Sequence, residues 1–299
     1  MISRPSMTLI GGGATDVGRV RKVNEDSYLL APGMVAVADG MGGHRAGDVA
    51  SRITIEACKT VATGEPLPID SVERIVATAN SLVRAHAAEH DSDGMGSTLV
   101  GAVLVDNGGE ESLLIFNVGD SRCYAIVDGG PLAQLTVDHS VVQEMIDSGE
   151  ITAAEGRHHA HRNVVTRAIG IEVSVAADFV VAPKGERVRL LFCSDGVSGE
   201  LGDSDLERLL GGPGTPEEIA QTMIAAVLNG PAKDNATAVV LDVLQPRMPA
   251  LHGNDDSEED ATGPRRPTPS KFVVPGSQSA TPTTRAQPTS RMLIDEVPL

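Results

Sequence analysis

Met34-Val35-Ala36-Val37-Ala38-Asp39-Gly40 is a run of apolar residues that ends abruptly on an acid and a glycine. Its length and its alternation of Val with Ala read as a buried strand, closed by the turn-forming Asp-Gly pair. The same ending recurs along the chain. Leu113 to Val118 runs into Gly119-Asp120, Leu190 to Ser194 runs into Asp195-Gly196, and Lys233-Asp234-Asn235 stands immediately before the run that starts at Ala236. A single Asp-Gly after a strand is ordinarily only a turn. Four carboxylates at the ends of strongly apolar strands mean more, because paired strands can deliver their ends to one place. Carboxylates gathered there repel one another and must take up protons or hold cations. Oxygen donors without His or Cys at ligand spacing favour the hard ions Mg²⁺ or Mn²⁺ over zinc.

Working outward, further β-rich runs cover residues 27–31, 98–106, 122–128, 177–183 and 187–195, and a last one covers 236–244. Asn107-Gly108 and Asp128-Gly129 lie between such runs and mark antiparallel hairpins. Two segments carry helical periodicity. Val72, Ile75, Val76, Ala79, Leu82, Val83 and His86 form one stripe, and Ile219, Ala220, Met223, Ile224, Val227 and Leu228 form another. Helices covering an antiparallel sheet system are the economical arrangement of these elements. A second charged constellation, Gly18 to Asp26, precedes the strand at 27–31. Within it an Arg fork can clamp a phosphate, and neighbouring acids can hold metal-associated water.

The chain has 299 residues, with 41 Asp plus Glu against 24 Lys plus Arg and a net charge of -17. That charge opposes binding to nucleic acid or anionic lipid, which rests on Lys and Arg releasing counterions. No apolar run approaches the roughly 18 to 20 residues that span a bilayer, and the first residues do not read as a leader. The expectation is a cytoplasmic protein with no membrane partner. Cys58, Cys123 and Cys193 are widely spaced in apolar or small-residue surroundings. They suit reduced, buried thiols better than disulfides or a zinc site. Hydrophobic residues make up 41%, but with no Trp, two Tyr and four Phe the core must be packed by Val, Leu, Ile, Ala and Met.

Composition changes after Leu244. Residues 245–299 hold nine of the 18 Pro, an acidic run from Asp255 to Asp260 and Ser/Thr/Pro-rich text. Such a segment cannot bury enough apolar surface to offset its ordering entropy, so it is expected to be a disordered tail. The folded domain is assigned to residues 1–244.

In this order the motifs RVRKVNEDS, VADGMGGHRAGDVAS, GMGSTL, VGDSRCY, LTVDHSVVQEMIDSGEIT, HRNVVTRAIG, CSDGVSG and KDNATAVV resemble the metal-dependent protein phosphatases of type 2C, the PPM family. The resemblance runs from about Thr8 to Leu244, and the DGMGGH form is similar to the bacterial branch. It implies an α+β fold, an antiparallel β-sandwich flanked by helices on both outer faces in α-β-β-α layers, with a metal cleft at one end and a small flap over about 140–162. It also implies site roles. Asp39 would bridge two metals, with the Gly40 carbonyl on one of them. Asp195 and Asp234 would hold the second, Glu25 would organise water, Arg21 would bind phosphate, and Asp120 with Asp195 would form a third, weaker site. Met41 stands where eukaryotic members carry a His after Asp-Gly, so no proton donor is assigned. Ala160 stands where relatives often have Pro.

The chemistry fits the residues. A phosphomonoester dianion repels anionic nucleophiles, and two ions can acidify a water and clamp the phosphoryl oxygens, so no Ser or Cys nucleophile is required. Ser194 reads as a strand residue, His44 as a local hydrogen-bond partner, and His158, His159 and His161 as solvated flap residues. The expected activity is Mn²⁺- or Mg²⁺-dependent hydrolysis of phosphoserine and phosphothreonine in proteins, by a monomer whose partners include Ser/Thr kinases or their substrates. The alternatives are a switch phosphatase dedicated to one regulatory phospho-partner, an inactive phosphoprotein-binding scaffold, and a hydrolase of small phosphate esters.

Overall fold

A computed structural model describes residues 7–42 and 46–244. Its strands form two sheets. One has the order β1 (Thr8–Asp16), β12 (Ala236–Leu244), β11 (Arg187–Cys193), β8 (Arg122–Val127) and β9 (Ala133–Gln134). The other has the order β10 (Asp178–Val181), β7 (Glu111–Val118), β6 (Leu99–Asp106), β3 (Met34–Met41) and β2 (Asp26–Ala31). Two-residue strands β4 (Leu67–Pro68) and β5 (Gly96–Ser97) pair with β6 and β3, the former in parallel.

Side-chain parity sorts the strands' residues between three apolar seams. Val35, Val37, Val100 and Ile115 meet Leu190, Phe192, Val239 and Leu241 between the sheets. Alternate residues of the same strands, Met34, Ala36, Leu114 and Phe116, face α1 (Ala46–Lys59) and α2 (Ser71–Glu89). On the opposite outer face, Leu191, Cys193, Ala238 and Val240 meet α6 (Asp203–Leu210) and α7 (Pro216–Leu228). The layers are therefore α-β-β-α, as expected. Strands buried on both faces explain why their sequences read as continuous apolar runs and not as alternation.

Helix α7 carries the expected stripe, with a Thr215/Glu218 capping box and Pro216 in its first turn. On α2 one position departs from the expectation. The buried line runs through Val72, Val76, Ala79, Val83 and Ala87, while Leu82 lies a step around the helix and is 47% exposed. The hairpin at 107–110 forms, but its tight pair is Gly108-Gly109, both at positive φ, flanked by Asn107 and Glu110. Asp128 and Gly129 also have positive φ and close the β8–β9 turn.

Strand β1 was hidden by Gly11-Gly12-Gly13. A Cβ on Gly12 would collide with the Pro216–Glu217 backbone, and one on Gly13 would lie 2.8 Å from the Tyr28 ring. The glycines let β1 run between the start of α7 and β2. Behind this region Arg189, 5% exposed, grips Asp242 through Nε (2.6 Å) and Nη2 (2.8 Å). Its Nη atoms also donate to the carbonyls of Leu210, Gly212 and Gly214.

The expected flap is a loop containing α3 (Val141–Asp147) and the single turns of α4 (Ala153–Gly156). Its ends meet at a bridge between Ser140 and Val165. One further turn, α5 (Asp195–Ser198), follows β11. The expected tail at 245–299 and His44 lie outside the described residues.

Candidate active site

Parity that packs the middle of the sandwich places acids at its end. Val35 and Val37 face inward, and so does Asp39, two residues on. Asp26 of β2 stands opposite Asp39 in register. Leu190 and Phe192 lead to Ser194, and Val239 and Leu241 lead back to Thr237, in the same gap. Asp195 opens α5, and Asp234 lies just before β12. Asp120 sits in the turn that carries the chain from β7 in one sheet to β8 in the other.

Hydroxyls line the floor. Ser194 Oγ donates to Asp26 Oδ2 at 2.7 Å and accepts the N–H of Thr237 at 3.0 Å. Thr237 and Thr15 join through their hydroxyls at 2.7 Å, and Asn24 Nδ2 donates to Thr15 Oγ1. Thr98 Oγ1 accepts the N–H of Asp39 at 2.9 Å and pairs with Ser121 Oγ at 2.7 Å, so the ends of β3 and the Asp120 turn share one side chain. Asn235 staples the Arg21 loop: its Nδ2 donates to the carbonyls of Val17 and Val23, and its Oδ1 accepts the N–H of Glu25.

Burial dominates the electrostatics. It pushes Asp39 well above the usual carboxylate range, reinforced by Asp26, Asp195, Asp120 and Asp234. Asp195 is raised by burial and by Asp234, with Asp39, Arg21 and Arg122 opposing the rise. Burial lifts Asp26 to about 7 against the hydrogen bonds from Thr237 and Ser194. Asp120 also rises to about 7, through burial and then the charges of Asp195 and Asp138. Glu25 is raised by burial, with Arg21 opposing and Asp48 and Asp234 adding to the rise. Burial disfavours the Arg21 cation, but its hydrogen bond to Asp234 and the surrounding acids more than compensate. That bond runs from Nη2 to Oδ2 at 2.7 Å, at the exposed mouth of the cluster.

Close backbone approach packs the cluster against the start of α1. A Cβ on Gly40 would collide with the carbonyl of Gly47, and one on Gly47 would lie 2.8 Å from Glu25 Oε1. The start of α1 thus presses against the end of β3, and Gly40 donates its N–H to the Glu25 carbonyl.

The structure therefore gathers Asp39, Gly40, Asp120, Asp195, Asp234, Glu25 and Arg21 at one end of the sandwich. Sequence reasoning gave Asp26, Asp48, Asn235 and Thr98 no individual role, although Asp26 falls in the charged constellation and Asn235 beside Asp234. Inward parity from Tyr28 would have flagged Asp26. His158 and His161 are exposed and His159 is half-buried in the loop expected to be a flap, and all three cysteines are free and buried.

Among the described residues, no three His, Cys, Asp or Glu side chains already form a closed metal cage. The donors nevertheless suit hard divalent cations. They are all oxygens, they repel, and Asp26 Oδ1 and Asp48 Oδ1 are buried without a hydrogen-bond partner.

The protein phosphatase 2C family profile matches residues 20–227. The serine/threonine phosphatase stp of Listeria monocytogenes is 35% identical over 240 residues, covering 76% of this chain and 93% of that protein. The serine/threonine protein phosphatase PstP of Mycobacterium tuberculosis is 36% identical over 267 residues, 85% of this chain and 50% of that protein. The crystal structure of the PstP catalytic domain in complex with two manganese ions superposes with a TM-score of 0.71 at 35% identity, covering 80% of this chain and all of that one.

Proposed function

The chain belongs to the protein phosphatase 2C family, and from that premise we propose that the acid cluster at the end of the sandwich is its phosphoester-cleaving centre. The protein is a metal-dependent serine/threonine phosphatase, and its substrates are phosphoproteins. The observation that carries the site is the convergence of Asp39 with Asp26, its partner in register, and with Asp195, Asp120 and Asp234 at one end of the sandwich.

Asp39, the Gly40 carbonyl, Asp195 and Asp234 would hold two Mn²⁺ or Mg²⁺ ions, and Asp120 with Asp195 a third. When bound, such ions supply charge to clamp the phosphoryl oxygens and acidify the attacking water. Arg21 presents a planar fork at the mouth, matched to two phosphoryl oxygens and steadied by Asp234. Glu25, fixed between Asn235 and Gly47, orients water at the rim. Ser194 is fully buried with its Oγ engaged by Asp26 and Thr237, so it offers no nucleophile. Burial pushes the Cys58 and Cys193 thiols up to about 12, and that of Cys123 well above its ordinary value. The chain thus holds no ready thiolate, which supports direct attack by water.

All the matched acids stand together, which favours an enzyme over an inactive scaffold. We place it as a monomer in the cytoplasm, acting on Ser/Thr kinases or their substrates. Among the described residues no helix is long and apolar enough to cross a membrane. Turnover of phosphothreonine and phosphoserine peptides, measured after metal stripping and again with Mn²⁺, tests the reading. Activity should appear only with the ion, and robust turnover in excess chelator would overturn it.

A further inference from the structure

His139, 7% exposed, stands at the outgoing foot of the flap and touches three things at once. Its Nδ1 accepts the N–H of Gly119 at 3.0 Å, and its own N–H donates to the Gly119 carbonyl at 3.0 Å. Gly119 immediately precedes Asp120. It has φ +105°, and a Cβ there would lie 2.7 Å from Thr98 Cγ2, so this turn has little room to move. With Nδ1 as acceptor, the neutral ring carries its proton on Nε2. That atom faces Asp178 Oδ2 at 3.3 Å. Arg167, beyond the returning foot of the flap, donates to Asp178 Oδ1 at 2.8 Å and lies 2.9 Å from the same ring nitrogen. The His139 carbonyl accepts the N–H of Thr166 at 2.8 Å, and Val141 donates to Val164 at 2.9 Å.

We propose that His139 is a positioning residue that clamps both feet of the flap to the turn carrying Asp120, so that flap and carboxylate keep one relative placement. Neither the Ser140–Val165 bridge nor the backbone bonds between the feet can do this alone, because they tie the flap only to itself. The imidazole reaches the Gly119 N–H with one ring nitrogen and the Asp178 carboxylate with the other, adding a side-chain tie to the main-chain bond from His139 to the Gly119 carbonyl. Asp178 registers the contact: its carboxyl is held down at about 2, chiefly by the His139 hydrogen bond and also by Arg167. The kinetic consequence rests on the proposed role of Asp120 in the cleft. The structural consequence does not.

The test uses the full chain and two half-mimics. In His139→Asn the amide oxygen can stand in for Nδ1 and keep the Gly119 bond, while the contact to Asp178 is lost. In His139→Gln the amide nitrogen can stand in for Nε2, while the side-chain bond to the Gly119 N–H is lost and the main-chain bond to the Gly119 carbonyl stays. Trypsin cleavage after Arg157 and Arg162, followed by mass spectrometry on metal-stripped protein below its melting transition, reads the flap. Kinetics on a phosphothreonine peptide with Mn²⁺ read the Asp120 turn. We expect faster flap cleavage in both variants. His139→Gln should lose about 10- to 100-fold in kcat with little change in KM, as loss of an outer-shell support does, and His139→Asn should recover most of that kcat. Cleavage rates and kcat like those of the unmodified chain in both folded variants would overturn the proposal, as would equal kcat losses in the two. Should Asp39→Asn retain full turnover, it is the cleft assignment that falls, and the cleavage comparison still decides the clamp.

Discussion

Arg21 and Asp234, 213 positions apart, are joined by a 2.7 Å bond from Nη2 to Oδ2, so a member of the acid cluster sets where the fork we propose for phosphate stands. Arg21→Ala should raise KM for a phosphothreonine peptide about 10- to 100-fold, the worth of a charge-assisted hydrogen bond of roughly 1.5–3 kcal/mol. Arg21→Lys should restore only part of this, because an ammonium lacks the two-pronged donor geometry. Steady-state kinetics check both, and an unchanged KM in Arg21→Ala would remove the residue from the site.

Asp39→Asn should move activity and stability in opposite directions. Replacing a half-buried, repelled carboxyl with an amide relieves strain on the metal-free fold, by on the order of 1 kcal/mol. The same change should lower kcat about 1,000-fold, since several kcal/mol of charge stabilisation depend on the ligand. A saturating Mn²⁺ concentration, ~100 times Kd, should stabilise the unmodified chain by about 2.7 kcal/mol. Calorimetric melting of both proteins with and without the ion reads the contrast, and an equal Mn²⁺ shift in the variant would exclude Asp39 as a ligand.

Low pH should expose the work of Asp178. Its folded carboxyl is held at about 2, below the roughly 3.9 of an unfolded Asp. A depressed acid stabilises the fold above the unfolded value and loses that contribution as pH falls through the folded one. The melting temperature of Asp178→Asn should therefore lie below that of the unmodified chain at pH 5 to 6. The gap should close between about pH 4 and pH 2. A gap that stays constant across this range would show that Asp178 acts through packing alone.

Asp242→Ala should be among the costliest single changes in the outer layer. It leaves Arg189 buried and uncompensated, a loss of about 3–5 kcal/mol. Chemical denaturation measures it, and a loss under 1 kcal/mol would mean that the carbonyls of Leu210, Gly212 and Gly214 suffice for the guanidinium.

Truncation after Gln245 should leave melting and peptide turnover near those of the full chain, because the three apolar seams lie among residues 7–244. A collapse of the thermal transition would show that the tail packs on the body.

Much of this was legible in the sequence because strand ends and acids coincide. Asp39, Asp120, Asp195 and Asp234 each interrupt an apolar run or immediately precede one, a local signal that needs no knowledge of the partner strand. What escaped depends on distant neighbours. Gly11 to Gly13 argue against a strand until the α7 backbone and the Tyr28 ring are placed beside them. Helix α1 buries mainly small residues such as Gly47, Ala50 and Ser51, so its apolar stripe is faint. Asp26 sits beside the conspicuous Glu25, and only the inward parity of β2 separates them. His139 shows no special spacing, because its meaning comes from Gly119 and Asp178, in other segments.

The pairing of β1 with β12, which sets Thr8 against Leu244, also governs when the protein can become an enzyme during its own synthesis. The first strand emerges from the ribosome without its neighbour and must wait for almost the whole domain to be translated. Until β12 arrives, β1 and β11 both expose edges, and Asp234 has not yet been delivered to Asp39. Non-local pairing of this kind is slow and open to aggregation. A nascent chain halted before Asp234 would carry most of the sandwich's sequence but lack one of the acids we assign to the metal site, so on that assignment dephosphorylation begins only once the two ends of the domain have met.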